Sequence, residues 1–337
     1  MSDSVSIPSK IKPKPCFSHL PWNVKQRIVD KTDPITRFTT RKVCKELTRY
    51  VDRSSYHYKQ LKLELLWQQI NLTITDDSGK RTLYYETKSE GNEEDAANDD
   101  LYEAPDHIWS AVLDLMILLK SPRVTVETLE FEVDDEYQED EEFLAEYNKD
   151  QELIQRLFKQ ELNKLNHKLH VNKLSLPISD EEEIMFILPY LQPKTLEEIC
   201  VGVVPWETDK RIDRLIETDH WKQAKHVMCQ GTNGVPILAM ALPESAYFTH
   251  GKASLEELKA LIQTILESSD KPVTIDAIVL EYNLQEFEEY VQKYEETTLS
   301  PRIRFVSIPN TELFLRINFM ENKLFMQKLT KGELNKI

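Results

Sequence analysis

Glycine is scarce in this sequence, and the shortage argues against the common nucleotide-binding loops. Only 7 of the 337 residues are glycine. None of them forms G-x-G-x-x-G or G-x-x-x-x-G-K-[ST], the patterns whose backbone amides hold the phosphates of dinucleotides and nucleotides. We therefore expect no bound nucleotide, and we expect no other cofactor.

Paired cysteines are also lacking. The four cysteines, Cys16, Cys44, Cys200 and Cys229, are scattered without a C-x-x-C pair. This spacing argues against a disulfide framework and against a structural zinc site, and it indicates reduced thiols. Because Cys44 and Cys200 each lie in an apolar stretch, we expect both to be buried as small apolar side chains.

No familiar catalytic or metal-binding motif is present. The sequence contains neither H-E-x-x-H nor G-x-S-x-G, and His167 and His170 lie among lysines at a predicted helix end, where surface positions are expected. The acidic run 134–142 holds seven acidic residues but no glycine, so it fits a solvated loop and helix start better than a calcium site. We expect a protein without an active site.

Long apolar runs are missing as well. The longest apolar stretches fall short of the roughly 18 to 20 residues that a membrane-spanning helix requires. Lys10, Lys12 and Lys14 are not followed by an apolar run, so the pattern does not predict a secretory signal. We expect no membrane partner and a location in the cytoplasm or the nucleus.

Charge is divided unevenly along the chain. Residues 1–60 hold 13 Lys and Arg against 5 Asp and Glu, a net charge of +8, and subtracting this from the whole-chain −16 leaves −24 for residues 61–337. An acidic body opposes binding to phosphate backbones, so we expect no nucleic-acid partner. The basic head favours an acidic protein partner.

The first part of the chain predicts a small helical module. Residues 1–16 predict a flexible leader, and residues 17–55 predict about three short helices. Pro21 suits the start of the first helix, and Asp33 followed by Pro34 suits the start of the second. The apolar positions recur at helical spacing, and they are Val24, Ile28, Ile35, Phe38, Val43, Leu47 and Val51.

Residues 56–100 predict a connecting segment. Strand-like runs at 70–75 and 82–87 flank Asp76-Asp77-Ser78-Gly79, which suits a hairpin turn. Residues 56–67 are read as a transitional stretch, and the acidic residues 90–100 predict a disordered loop.

Residues 101–337 alternate predicted helices and strands. The helices are expected at 105–119, 140–169, 180–191, 209–217 and 255–267, and the strands at 129–133, 173–176, 197–201, 226–229, 277–281 and 304–308, before a terminal hairpin at 312–329. Capping boxes are expected at Ser179 to Glu182 and at Ser254 to Glu257. Trp221 is expected to anchor a helix on the next strand, and Pro189 to end or kink its helix.

This alternation predicts the fold class. Short strands between helices indicate parallel βα units, and their unequal spacing favours an irregular α/β domain similar to a leucine-rich repeat. The whole chain is therefore expected to be α+β, a small three-helix module followed by that larger domain.

Residues 17–53, FSHLPWNVKQRIVDKTDPITRFTTRKVCKELTRYVDR, resemble an F-box. The matching positions are Leu20-Pro21, Val24, Ile28, Ile35, Phe38, Arg41, Val43-Cys44-Lys45 and Leu47. A later part of the chain is similar to the C-terminal FTH domain of nematode F-box proteins. The segments that carry this second likeness are KLSLP from Lys173, EIMFILPYL from Glu183, TLEEI from Thr195, DHWKQAK from Asp219, YFTH from Tyr247 and SLEEL from Ser254.

The two resemblances imply a substrate-recognition subunit of an SCF-type cullin-RING ubiquitin ligase. The F-box would bind a Skp-type adaptor, which links it to the ligase, and residues 101–337 would hold an unidentified target protein. The expected adaptor-binding residues are Leu20, Pro21, Val24, Ile28 and Ile35. For Phe38, Val43 and Leu47 a role in the helical core is favoured, and the alternative for the whole chain is an interaction module that does not engage the ligase.

Overall fold

The structure is a computed structural model of the chain. It describes residues 17–66, 69–86, 106–133, 141–178, 181–203, 212–231, 236–268, 271–293 and 302–334. It divides into two compact units, Met1–Tyr56 and His57–Ile337. The predicted leader 1–16 with Cys16, the acidic loop 90–100, most of the acidic run 134–142 and the capping residue Ser179 lie outside the described residues.

The first unit contains three helices, as predicted. A 3-10 turn at Phe17–His19 precedes α1 (Trp22–Asp30), α2 (Pro34–Val43) and α3 (Lys45–Arg53). The Asp33 carboxylate accepts a hydrogen bond of 3.0 Å from the Thr36 amide, and Pro34 is the first residue of α2. The predicted start of the second helix is therefore confirmed.

A buried arginine holds the three helices of this unit together. The Arg37 guanidinium donates hydrogen bonds to the carbonyl oxygens of Asp30, Thr32 and Ser55 at 2.6, 3.0 and 3.1 Å, and it stacks over the Tyr56 ring at 4.4 Å. The planar fork of five N–H donors suits this task, because one side chain satisfies carbonyl groups from three places in the chain.

The core of the first unit only partly matches the prediction. Phe38 is buried as predicted, whereas Val43 and Cys44 are exposed, so a core role for Val43 and burial of Cys44 were wrong. Val43 is five residues after Phe38, which places it about 140° around the helix from the Phe38 side. Cys44 lies in the extended link between α2 and α3. Leu47 is half-buried.

The second unit is built on one twelve-stranded sheet. In sheet order the strands run β10-β11-β12-β9-β8-β7-β6-β5-β4-β1-β2-β3. Their bounds are β1 Tyr56–Leu66, β2 Gln69–Asp76, β3 Gly79–Glu86, β4 Val124–Val133, β5 His170–Ile178, β6 Glu198–Val203, β7 His226–Gln230, β8 Ser245–Lys252, β9 Thr274–Glu281, β10 Ile303–Ser307, β11 Leu313–Met320 and β12 Lys323–Thr330.

The centre of the sheet is parallel and follows chain order. Strands β4 to β9 are consecutive parallel neighbours, whereas β1–β3 and β9–β12 include antiparallel pairs. Right-handed crossovers between strands in consecutive order place their connections on one face of the sheet. The chain is thus α+β, as predicted, and the likeness of this region to a leucine-rich repeat stays a prediction.

Short and long helices connect the strands. They are α4 Asp106–Leu119, α5 Glu141–Leu162, α6 Glu181–Met185, α7 Asp213–Glu217, α8 Asp219–Gln223, α9 Leu255–Glu267, α10 Leu284–Val291 and α11 Lys331–Leu334. Within the described ranges, 3-10 segments accompany them at Leu188–Tyr190, Pro193–Thr195 and Ile237–Ala241. Some helices that follow one another along the chain also touch, as α4 does with α5 and α7 with α8.

Several predicted elements are confirmed and others need correction. The hairpin of β2 and β3, with Gly79 at a positive φ of 132°, and the terminal hairpin of β11 and β12 were predicted. The stretch 56–67 was wrongly read as transitional, because Tyr56–Leu66 form β1. The predicted helix 180–191 ends at Met185, and Pro189 lies in a 3-10 turn, since proline cannot donate the helical hydrogen bond.

Helix α9 begins with the predicted capping box. The Ser254 hydroxyl accepts a hydrogen bond from the Glu257 amide at 3.2 Å, and the Glu257 carboxylate accepts one from the Ser254 amide at 2.9 Å. These two bonds satisfy backbone N–H groups that have no partner within the helix.

Replacing Ser254 with Ala should lower the free energy of unfolding of the second unit by about 0.5 to 2 kcal/mol, because the cap acceptor is lost. Urea denaturation followed by circular dichroism measures the change. Ser254→Asp is the matched control, since aspartate is an equally good cap, and it should retain most of the stability. Equal midpoints for Ser254→Ala and the unchanged chain would show that the box contributes nothing.

Candidate functional site

Helix α1 leaves large apolar side chains uncovered. Val24 is 37% exposed and Ile28 is 41% exposed, and they lie one turn apart on the same face of the helix. Val29, on another face of α1, is buried in the core of the unit. A small unit with such an open apolar face has surface suited to a protein partner.

The other three predicted adaptor-binding residues flank this face in the chain. Pro21 is exposed, whereas Leu20 and Ile35 are half-buried. The Leu20 amide donates to the Phe17 carbonyl at 3.1 Å, and the Pro21 carbonyl accepts from the Val24 and Lys25 amides at 3.0 Å. Leu20 and Pro21 therefore set the start of α1, and their role in binding stays a prediction.

Two exposed apolar residues were missed by the sequence reasoning. Trp22, the first residue of α1, is 53% exposed, although its ring lies 5.8 Å from that of Tyr50. Val43, the last residue of α2, is 71% exposed. Counting positions around α2 from Phe38 would have placed Val43 on the outside of the unit.

The first unit also carries exposed positive charge. Arg27, Lys31, Lys45 and Arg49 are all exposed. Lys25 is instead buried, and its Nζ lies 2.6 Å from a Glu46 carboxylate oxygen, so this hydrogen bond raises the pKa of the lysine. The first unit thus exposes several cations, which fits an acidic partner.

The second unit shows no activated thiol among its described cysteines. Burial raises the pKa of Cys200 to about 11, and it also raises the pKa of the buried Cys229. A thiol with a raised pKa stays protonated near neutral pH and is a poor nucleophile. The expected burial of Cys200 is confirmed.

Histidines and acidic residues do not gather into a metal site within the part of the chain that the structure describes. His167 and His170 are half-buried rather than fully at the surface.

Among the described helices, none combines the length and the apolar character needed to cross a membrane.

A buried histidine lies beside Trp221 in α8. His220 Nε2 donates a hydrogen bond of 3.2 Å to the Leu191 carbonyl, and burial lowers the pKa of the imidazole below its usual 6.5. The folded state therefore keeps His220 neutral at a pH where the unfolded chain takes up a proton. Acidification below about pH 6.5 should reduce stability as the unfolded imidazole titrates.

The variant His220→Gln tests this. The unchanged chain should lose up to about 1.4 kcal/mol of stability per pH unit more than the variant as the pH falls from 6.5. Urea midpoints at several pH values between 7.5 and 5 give the comparison, and contributions from other histidines cancel in the difference. Parallel curves for the two proteins would rule out His220 as a source of acid sensitivity.

Two family models match the chain. The F-box domain model matches residues 17–59, which covers the three helices of the first unit, and the FTH domain model matches residues 152–293, which covers β5 to α10. The chain therefore contains an F-box domain. It carries a C-terminal FTH domain, as the resemblance to nematode F-box proteins predicted.

Comparisons with curated proteins and with solved structures find no match. The F-box domain supports, in general terms, a substrate-adaptor role in an SCF-type ubiquitin ligase. The segments from Lys173 to Leu258 that carried the second resemblance all lie within the matched FTH domain.

Proposed function

We propose that this protein is the substrate-recognition subunit of an SCF-type cullin-RING ubiquitin ligase, with the F-box bound to a Skp-type adaptor and the second unit bound to a target protein. The observation that carries the proposal is the exposed apolar pair Val24 and Ile28 within the matched F-box domain. Burial of such a face on a partner is a helix-in-groove type of recognition.

The proposed contact extends from Leu20 and Pro21 at the start of α1 to Ile35 in α2. Trp22 and Val43 add exposed apolar surface. Covering about 25 Å² of apolar surface stabilises a complex by roughly 0.6 kcal/mol of binding free energy. Several exposed apolar side chains together can therefore support a stable complex. The exposed cations of the first unit would speed association with an acidic partner and make it sensitive to salt.

The subunit is proposed to act without catalysis and without a cofactor. In this scheme the cullin-RING partners supply the chemistry, and the chain contributes two binding surfaces. Its place of action would be the cytoplasm or the nucleus, where F-box proteins usually work.

Co-expression with a Skp-type adaptor tests the proposal. The full chain and the adaptor should elute together in size-exclusion chromatography, and addition of a cullin-RING scaffold should move both to a larger size. If the folded chain elutes apart from the adaptor at micromolar concentration, the ligase role is wrong, and the protein is an interaction module independent of the ligase.

A further inference from the structure

A cavity of about 60 Å³ lies within the second unit. Its walls come from near the C-terminal ends of β1, β4 and β5, from one side of α5, and from α6 with the two residues after it. The described residues that line it are Leu63, Leu65, Phe131, Glu132, Gln151, Ile154, Gln155, Leu176, Pro177, Glu183, Phe186 and Ile187. This volume has room for several water-sized groups.

The cavity lies at the end of the sheet where parallel strands present their carboxyl termini. Strands β4 and β5 are parallel. Strand β1 runs parallel to β4. The His57 side chain bonds Thr125 and Glu127, and the Gln60 side chain, further along β1, bonds Glu130, further along β4. Ligands of open α/β sheets commonly bind beyond the carboxyl ends of parallel strands.

The lining combines an apolar wall with negative charge. Eight of the twelve residues are apolar, and the four polar ones are two carboxylates and two carboxamides. None of these described lining residues is Lys, Arg or His. The site therefore favours a ligand that is apolar along its length and positively charged at its end.

The two carboxylates lie in different environments. Glu183 is 7% exposed and accepts a hydrogen bond of 3.0 Å from Gln151 Nε2. Glu132 is exposed and pairs with Lys62, which also lies 3.0 Å from Glu64. One ammonium group thus faces two carboxylates, of which Glu132 lines the cavity.

We infer that the cavity receives a lysine or arginine side chain from a basic segment of the target protein. The methylene stem would lie on the apolar wall while the charged head meets the carboxylates, a division that long basic side chains adopt readily. The net charge of −24 on residues 61–337 favours a basic target in the same way. This inference rests on the proposed target-binding role of the second unit.

Small probes test the inference on the full chain. The methyl groups of leucine and isoleucine are labelled with ¹³C, and n-butylguanidinium, 1-pentanol and butyrate are titrated separately. We expect saturable shifts of the Leu63, Leu65, Ile154 and Leu176 methyls with n-butylguanidinium, weaker ones with 1-pentanol and none with butyrate. Equal or tighter binding of 1-pentanol, or no shift at these methyls with n-butylguanidinium, overturns the inference.

Matched variants on α6 separate charge from shape. Glu183→Gln should weaken n-butylguanidinium binding about tenfold or more, as expected on removing a charged hydrogen-bond partner, while 1-pentanol binding is unchanged. Glu182→Gln is the control, because the Glu182 carboxylate is outside the cavity and pairs with Arg214. If Glu183→Gln fails to fold, Glu132→Gln at the rim takes its place, and an unchanged affinity in the folded variant contradicts the inference.

The same preparations are also tested for binding to the Skp-type adaptor. Adaptor binding without probe binding overturns the cavity inference and leaves the proposed ligase role in place. Probe binding without adaptor binding overturns the ligase role, and the cavity then stands as a site for basic side chains.

Discussion

Replacing Ile28 with Asp is expected to abolish co-purification with the Skp-type adaptor while the F-box remains folded. Ile28 is 41% exposed and lies one turn from Val24 on the open face of α1. A carboxylate here would have to lose its hydration within an apolar contact. Loss of a central apolar contact of this kind costs at least about 2 kcal/mol, or about thirtyfold in affinity, before the unfavourable burial of charge is added.

The same substitution one residue further along is the matched control. Val29 belongs to the same helix but is buried in the core of the unit. Val29→Asp should therefore unfold the F-box, with lower helical circular dichroism, whereas Ile28→Asp should keep the spectrum of the unchanged chain. Normal adaptor affinity in a folded Ile28→Asp chain would show that this face is not the docking surface.

Replacing Trp221 with Ala is expected to lower the free energy of unfolding of the second unit by about 3 to 5 kcal/mol. Trp221 is 0% exposed, and its ring lies 6.3 Å from that of Phe248 in β8. Its amide also donates a hydrogen bond to the Thr218 hydroxyl at the start of α8. Trp221 was predicted to be half-buried and to anchor its helix on the next strand, but it is fully buried and its ring contacts Phe248 of β8 rather than β7, the next strand. Its truncation would leave a large cavity in the core.

Two control variants make the Trp221 prediction specific. The indole Nε1–H has no hydrogen-bond partner among the described residues, so Trp221→Phe gives up no hydrogen bond there and should cost less than Trp221→Ala. Met228→Ala, at a partly exposed position in β7, should change stability by no more than about 0.5 kcal/mol. Urea denaturation followed by circular dichroism ranks the three variants, and a Trp221→Ala loss equal to that of Met228→Ala would contradict the packing described here.

Elements with strong local signals were predictable from the sequence. Helix α9 has the predicted bounds, because its capping box and its apolar periodicity agree. The hairpin of β2 and β3 was marked by turn residues around Gly79. The F-box helices were found because Asp33 and Pro34 mark the start of α2.

Elements defined by their neighbours were harder to predict. Strand β8 holds the polar residues Ser245, Thr249 and Lys252, and it forms a strand by pairing with β7 and β9. Strand β1 was missed although Leu61, Leu63 and Leu65 alternate with charged residues. For β8 the pairing with its neighbours decides the structure, and for β1 the two-residue period of the sequence was overlooked.

The candidate docking face was predictable in position but not in extent. The spacing of Val24 and Ile28 showed that they share a face of α1, but only packing decides that Val29 and Phe38 fill the core. The cavity beside Glu183 had no local signal, because its walls come from residues as far apart as Leu63 and Ile187.

Hydroxyl-radical footprinting of the full chain, with and without the Skp-type adaptor, tests the proposed docking most directly. The adaptor should protect the side chains of Pro21, Val24 and Ile28, while Met228 and Leu238 in the second unit, which are exposed to a similar degree, keep their rate of oxidation. If the adaptor leaves the oxidation of Val24 and Ile28 unchanged at a saturating concentration, α1 is not the adaptor-binding element.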